Sequence, residues 1–304
     1  MLARLMDISV VLCTYNNAER LRITLQSFCR LNEPEKLDWE LVTVNNNSTD
    51  DTETVIRSFD DQLPIRYVYE PEQGLSRARN AGLDFAGGEL IVFTDDDVKP
   101  NSDWLTAYWE AYRERPEGYY FGGPIESEYE GEPPDEDLLR AAPPSVAGLD
   151  YGPDARILSP EEIFVGANWA CPAGALKEVG MFDESKGLNA QKNAKLGEEI
   201  DLMSKLSEDM KGWYVTKAKI KHFVPSSKSN VEHVVSRNLM GLDKKHLKNN
   251  KKPKKVFGIY VGQLLRVIVY LLKWVSRYIL GLNWKKEYVK YKWWLRIFDI
   301  YQNK

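Results

Sequence analysis

Leu90-Ile91-Val92-Phe93-Thr94-Asp95-Asp96-Asp97 is the stretch on which the fold reading turns. Its apolar half has the length and side-chain type of a buried strand. Its other half places three adjacent carboxylates at the strand's end. Three neighbouring acids repel one another, and two carboxylates in a cleft invite a hard cation. A solvated turn, or a helix N-cap before Asn101-Ser102-Asp103, would use the same residues. The surroundings of the stretch separate these readings.

Working backwards, Ile8 to Cys13 reads as a strand that ends in Thr14-Tyr15-Asn16-Asn17. Leu21, Leu25 and Phe28 then fall on one helical stripe. Trp39 to Val44 is a second strand, ending in Asn45-Asn46-Asn47-Ser48-Thr49-Asp50. Ile65 to Tyr69 is a third, followed by Leu75, Ala78, Gly82, Phe85 and Ala86 at helical spacing. Strand and helix alternate up to Phe93, which implies a mostly parallel sheet flanked by helices, an α/β class. Ligands of such sheets bind beyond the carboxyl ends of the strands, where these polar clusters lie. Arg77 and Arg79, early in the third helix, are candidates for bidentate phosphate contacts.

Working forwards, Glu126 to Glu162 is acidic, rich in proline and without periodicity, so it predicts a long irregular loop, of the kind that closes over a site. Ala173 to Val179 and Gly197 to Leu206 predict helices. Gly212 to Thr216 and Ile220 to Val224 predict short strands. Gly197-Glu198-Glu199-Ile200-Asp201 opens its helix with acids, which the helix dipole alone explains; a carboxylate there is also able to act as a general base. His222 is either a cation or phosphate ligand or a partly buried polar residue.

Charge divides the chain. From Lys244 onward there are 16 Lys or Arg against two acids, Glu287 and Asp299, a local balance of +14; the whole chain carries −4. Val256 to Leu282 is apolar except for a stripe of Gln263, Arg266, Tyr270, Lys273 and Arg277. Its three charges count against a membrane crossing. Lysines near an anionic leaflet, with Trp274, Trp284, Trp293 and Trp294 at headgroup level, fit a peripheral membrane contact. Packing on protein would use the same apolar face. The acidic body opposes nucleic acid, and no nucleic-acid module is visible. Three dispersed cysteines, Cys13, Cys29 and Cys171, form neither a disulfide framework nor a zinc signature, and Met1 to Asp7 lacks the features of a signal peptide. The expectation is a cytoplasmic protein, at most associated with the inner face of the plasma membrane. No Gly-x-Gly-x-x-Gly follows the first strand, against a dinucleotide-binding dehydrogenase, and no phosphate-cradling glycine loop points to a nucleotidyltransferase.

Together the segments resemble one family. Val10-Val11-Leu12-Cys13-Thr14-Tyr15-Asn16-Asn17, Asn46-Asn47-Ser48-Thr49-Asp50-Asp51-Thr52, Gly74-Leu75-Ser76-Arg77-Ala78-Arg79-Asn80-Ala81-Gly82 and Phe93-Thr94-Asp95-Asp96-Asp97 are similar, in order and spacing, to the family 2 glycosyltransferases. Gly166-Ala167-Asn168, Val179 to Glu184, Gly197 to Asp201 and His222 to Pro225 resemble their acceptor half. The resemblance implies a GT-A fold over residues 1–240, with a nucleotide-sugar half at 1–125, an acceptor half at 126–240 and a helical tail at 241–304. It implies an inverting transfer from a nucleoside diphosphate sugar, a UDP-sugar first, to an acceptor hydroxyl, assisted by Mg2+ or Mn2+; the basic tail fits a glycan or polyprenyl-linked acceptor of surface-polysaccharide synthesis. The non-catalytic alternative is a sugar-nucleotide-binding scaffold. Carried over by position, Thr14, Tyr15, Asn17, Asn46, Arg79, Asp95 and Asp96 would bind the nucleotide sugar. Asp97, the last residue of the Asp-x-Asp motif at 95–97, and His222 would hold the metal. Glu199, or else Glu198, would be the base, and Asn168 and Trp169 would meet the acceptor, Trp169 by stacking on a sugar face. Two departures stand out: Asn45 replaces a frequent Asp, and Trp169-Ala170-Cys171 follows Asn168 where relatives often carry basic residues.

Overall fold

The computed structural model describes residues 6–32, 37–187, 197–240, 255–256 and 259–302. The lysine run at 244–255 and the N-terminal reading at 1–7 lie outside these residues, apart from 6, 7 and the backbone of 255.

The expected alternation is present. β1 (Met6–Thr14), α1 (Ala18–Phe28), β2 (Trp39–Asn45), α2 (Thr52–Arg57), β3 (Ile65–Tyr69), α3 (Leu75–Phe85) and β4 (Gly88–Asp95) follow in turn. The four strands are parallel, in the order β3-β2-β1-β4. Register brings their polar ends level: Thr14 lies opposite Asn45, and Cys13 opposite Asp95. Side chains alternate between two cores. Ile8, Val10 and Leu12 pack beneath α1 and α2; Val11, Val42 and Val44 pack beneath α3. A strand buried on both faces reads as a continuous apolar run, which is why these strands are visible in sequence. Gly82 lets α3 approach closely, because a Cβ there would stand 2.6 Å from Val11 Cγ1.

Beyond β4 come β5 (Val98–Pro100), α4 (Trp104–Glu114), β6 (Tyr119–Gly122), β7 (Ile125–Tyr129), α5 (Glu136–Leu139), α6 (Pro144–Ala147), β8 (Arg156–Ile157), β9 (Asn168–Pro172), α7 (Ala173–Val179), α8 (Glu198–Leu206), β10 (Lys211–Tyr214), β11 (Ile220–Val224), α9 (Val231–Leu239), α10 (Val261–Ile279) and α11 (Lys285–Gln302). Among the described residues the large sheet has the order β3-β2-β1-β4-β9-β6-β10-β8. β9 runs antiparallel between β4 and β6. The segment 126–162 is therefore not one irregular loop. It contains most of β7, then α5, α6 and β8, held by side-chain bonds such as Tyr129 Oη to the Val146 carbonyl, 2.7 Å.

The chain divides into two compact units: 1–126 with 149–223, and 127–148 with 224–304. The boundary expected at residue 240 falls inside the second unit. That unit has its own core of Leu138, Val146, Val224, Val234, Val235 and Val289. Its proline-rich segment is tied to α11, where Asp137 accepts from the Lys286 amide at 3.0 Å and Asp135 pairs with Lys285. α10 and α11 pair through aromatic rings: Trp274 stacks on Tyr291 at 5.6 Å, and the Arg266 guanidinium lies 4.6 Å from the Trp294 ring centre.

Candidate active site

Asp95, Asp97 and His222 converge in the first unit. One ligand atom from each lies within 4.8 Å of the others. Asp95 closes β4 and Asp97 stands in the turn to β5. β11 pairs antiparallel with β5, so that His222 faces Val98 across the ladder. The Phe223 amide donates to the Asp97 carbonyl at 2.9 Å, and His222 Nε2 lies 3.4 Å from Asp97 Oδ1. The Arg20 guanidinium covers the Phe223 ring at 3.4 Å and pins β11 from α1. Nothing local in the sequence marks Arg20 for this.

The donor set fits a divalent cation. Two carboxylates and one imidazole suit Mn2+, and Mg2+ where oxygen ligands complete the shell. The His222 Nδ1 is buried with no hydrogen-bond partner among the described residues, so the ring is not satisfied by protein alone.

Asp96 points elsewhere. It accepts from Thr14 Oγ1 at 2.6 Å and from Asn17 Nδ2 at 2.8 Å. Burial and the charge of Asp97 push its carboxyl up to about 7, against the pull of those two donors. Of the two acids expected at the nucleotide sugar, Asp95 lies in the cluster with Asp97 and His222, and Asp96 anchors the β1 strand end.

That strand end is pre-formed. Asn16 and Asn47 adopt positive φ, 47° and 62°, which Asn tolerates better than most residues. Asn16 Oδ1 accepts from the Thr49 amide at 2.7 Å, and the Ala18 amide donates to Asp50 at 3.0 Å. The Tyr15 side chain remains 37% exposed, with a ring available for stacking. Asn46 differs from its expected role. Its amide nitrogen donates to the Glu70 and Glu72 carbonyls at 3.2 and 2.8 Å, and its oxygen accepts from the Gly74 amide at 2.8 Å. Both halves of the amide are spent on shaping the turn before α3.

Arg79 is buried. Its guanidinium lies 2.8 Å from Glu198 Oε1 and 3.6 Å from Asp95 Oδ1. It crosses from the end of β4 to the first turn of α8, 119 residues away in sequence. Gly166 makes room, since a Cβ there would stand 2.6 Å from Arg79 Nη2. Glu198 is consumed by this buried pair. Glu199, half-buried beside it, is not, and burial followed by the charge of Glu198 pushes its carboxyl up to about 7, against the opposing pull of Arg79. A carboxyl in that range suits a general base near neutral pH.

The acceptor assignments of Asn168 and Trp169 are corrected. Both are 0% exposed. Trp169 stacks on Phe93 at 4.6 Å and meets Phe182 edge-on at 6.4 Å, which leaves no face for a sugar. Asn168 Oδ1 accepts from Trp104 Nε1 at 2.9 Å and Tyr108 Oη at 2.7 Å. Its Nδ2 donates to the Pro124 and Ala218 carbonyls at 3.0 and 2.8 Å.

Comparisons with known proteins bear on the family and the fold. Chondroitin synthase of Escherichia coli is 34% identical over 105 residues, covering 34% of this chain and 15% of that protein. The succinoglycan biosynthesis protein ExoM of Rhizobium meliloti (strain 1021) is 32% identical over 110 residues, covering 36% and 35%. The chain thus spans only about a third or less of the length of these relatives. Among solved structures, S. aureus TarS 1–349 in complex with UDP-GlcNAc superposes with a TM-score of 0.54 at 17% identity, covering 79% of this chain and 69% of that one. The mannosyltransferase PcManGT from Pyrobaculum calidifontis, in complex with GDP-Man and Mn2+, gives 0.52 at 19%, covering 83% and 67%. At these identities the structural likeness speaks to the GT-A fold. The model of glycosyl transferase family 2 matches residues 9–173, more than half of the chain, and the protein belongs to that family.

Proposed function

We propose that the first unit is the catalytic unit of an inverting, metal-assisted glycosyltransferase. It would move a sugar from a nucleoside diphosphate, UDP first, to a hydroxyl of a glycan or polyprenyl-linked acceptor in surface-polysaccharide synthesis. The observation that carries the reading is the buried Arg79, which ties the Asp95, Asp97 and His222 cluster to the helix start bearing Glu199.

Tyr15 offers a ring for the base, above a strand end held rigid by Thr14, Asn17 and Asp96. Asp95, Asp97 and His222 would hold Mg2+ or Mn2+, which supplies charge neutralisation to the diphosphate as it leaves. Glu199 takes the proton from the acceptor hydroxyl as the oxygen attacks the anomeric carbon from the face opposite the diphosphate. Holding the base in a fixed position lowers the entropic cost of that encounter. The basic tail would bring the enzyme to the cytoplasmic face of a membrane. No helix among the described residues is long and apolar enough to cross one.

The test is a screen of nucleoside diphosphate sugars with Mn2+ or Mg2+, following nucleoside diphosphate release. Metal-dependent donor hydrolysis is expected, abolished in Asp97→Ala. Transfer to an added acceptor falls ~100-fold or more in Glu199→Gln, with nucleotide binding retained. Failure of every donor with nucleotide binding retained would favour the sugar-nucleotide-binding scaffold, and failure of both would overturn the transferase reading.

A further inference from the structure

The polar stripe of α10 does not lead its apolar residues inward. Gln263 and Val267 are the buried positions of the helix, facing α11, while Val261, Leu265, Ile268, Leu272, Val275 and Ile279 are exposed. At 100° per residue these six fall within one sector of the helix. Leu272 is 62% and Ile279 75% exposed. The sector runs the length of a helix about 28 Å long. Arg266, Lys273 and Arg277 form a basic edge along one side of it, and α10 contains no acidic residue.

We propose that this face of α10 lies in the plane of an anionic phospholipid surface, its six aliphatic side chains among the upper acyl chains and its basic edge among the headgroup phosphates. The inference rests on the peripheral contact proposed for the tail and names its lipid and its face. Two features select lipid over a second copy of the chain. A second α10 carries no acid to meet Arg266, Lys273 and Arg277, whereas a layer of phosphates meets them with opposite charge. The tail from Lys244 onward adds to that sign, with 16 Lys or Arg against two acids. Leu280 and Leu282, exposed just past the helix, extend the apolar surface, and Tyr278, also exposed, brings a ring of the kind that settles at headgroup depth.

The test is flotation of the full chain with phosphatidylglycerol–phosphatidylcholine vesicles, beside vesicles of phosphatidylcholine alone, with light scattering on the same samples. Binding is expected to the anionic vesicles and to weaken with added salt. Leu272→Glu, a change on the exposed face, lowers partitioning about tenfold or more while circular dichroism and donor hydrolysis stay as in the parent. A second variant, Lys273→Gln with Arg277→Gln, keeps the apolar face and reduces the preference for phosphatidylglycerol. Equal flotation of Leu272→Glu and parent overturns the inference, as does equal binding to both lipids. A dimer that Leu272→Glu dissociates, without flotation, assigns the face to a second copy instead. Donor hydrolysis is read without vesicles, so that loss of membrane binding and loss of the transferase reading are separate results.

Discussion

At the scale of single residues, neighbouring glutamates at one helix start have divided their tasks. Glu198 accepts the Arg79 charge in the interior, and Glu199 stands half-buried with a carboxyl raised to about 7. As the proposed base, Glu199 must be deprotonated to work, so transfer at saturating donor is expected to rise with pH through an acid limb near 7. Glu198→Gln removes the neighbouring negative charge and leaves Arg79 nearby, and both effects favour ionisation of Glu199. The acid limb then moves to lower pH in the pH–rate profile; a limb that stays in place would detach Glu199 from this role. The acidic run after β4 is legible in sequence, and so is His222 as a candidate. What sequence does not carry is direction. Asp95 and Asp97 turn to the cluster while Asp96 turns to Thr14 and Asn17, because a strand end and the turn after it send successive side chains to different sides. The partner of Arg79 lies 119 residues away, beyond any local pattern.

At the scale of elements, the four parallel strands and their helices are readable from residue 8 to residue 95, since burial on both faces leaves long apolar runs. β9 is not. Its five residues, Asn168 to Pro172, show no alternation and end in a proline, and Gly166 before them signals only a turn. Trp169 looks like a sugar platform until the sheet places it between Phe93 and Phe182. Asn168, opposite Thr94 in the ladder, joins α4 to the connections after β6 and β10 with four side-chain bonds. Asn168→Ala would leave a buried indole N–H, a phenol O–H and the Ala218 carbonyl without their Asn168 partner, while the Pro124 carbonyl keeps the Ile220 amide as a donor, at a cost of about 2–4 kcal/mol. A clear drop in the urea midpoint with circular dichroism preserved in water is the expected result. A midpoint within error of the parent would show that the loss is made good by water.

At the scale of the whole molecule, the Asp95, Asp97 and His222 cluster and the strand ends proposed for the nucleotide belong to one unit, so a cation and a nucleotide bound there would stabilise that unit together. A cation and a nucleoside diphosphate at about a hundred times their dissociation constants would each add up to roughly 2.7 kcal/mol to folding. The expected readout is a thermal midpoint that rises more with Mn2+ and UDP together than with the two separate shifts summed, and a His222→Ala protein that keeps the UDP shift but loses most of this excess. Simple additivity in the parent would mean that cation and diphosphate do not meet. Sequence shows the charge contrast between body and tail but not the two-unit division, because the segment 127–148 returns to pack with α9 and α11 far along the chain.

The antiparallel insertion of β9 also sets an order of events during synthesis. β1 to β4 are complete once residue 95 has emerged, and three neighbouring pairs among them can form at once. The other edge of β4 stays open until residues 168–172 arrive, and only then does β6, made at 119–122, have its neighbour in the sheet. At a translation rate of about 5–20 residues per second, that edge waits several seconds. An unpaired, apolar strand edge is a template for pairing with other chains. The nascent protein is therefore most exposed to aggregation in this interval, when the carboxyl ends of β1 to β4 are already built and the strand that closes β4 is still inside the ribosome.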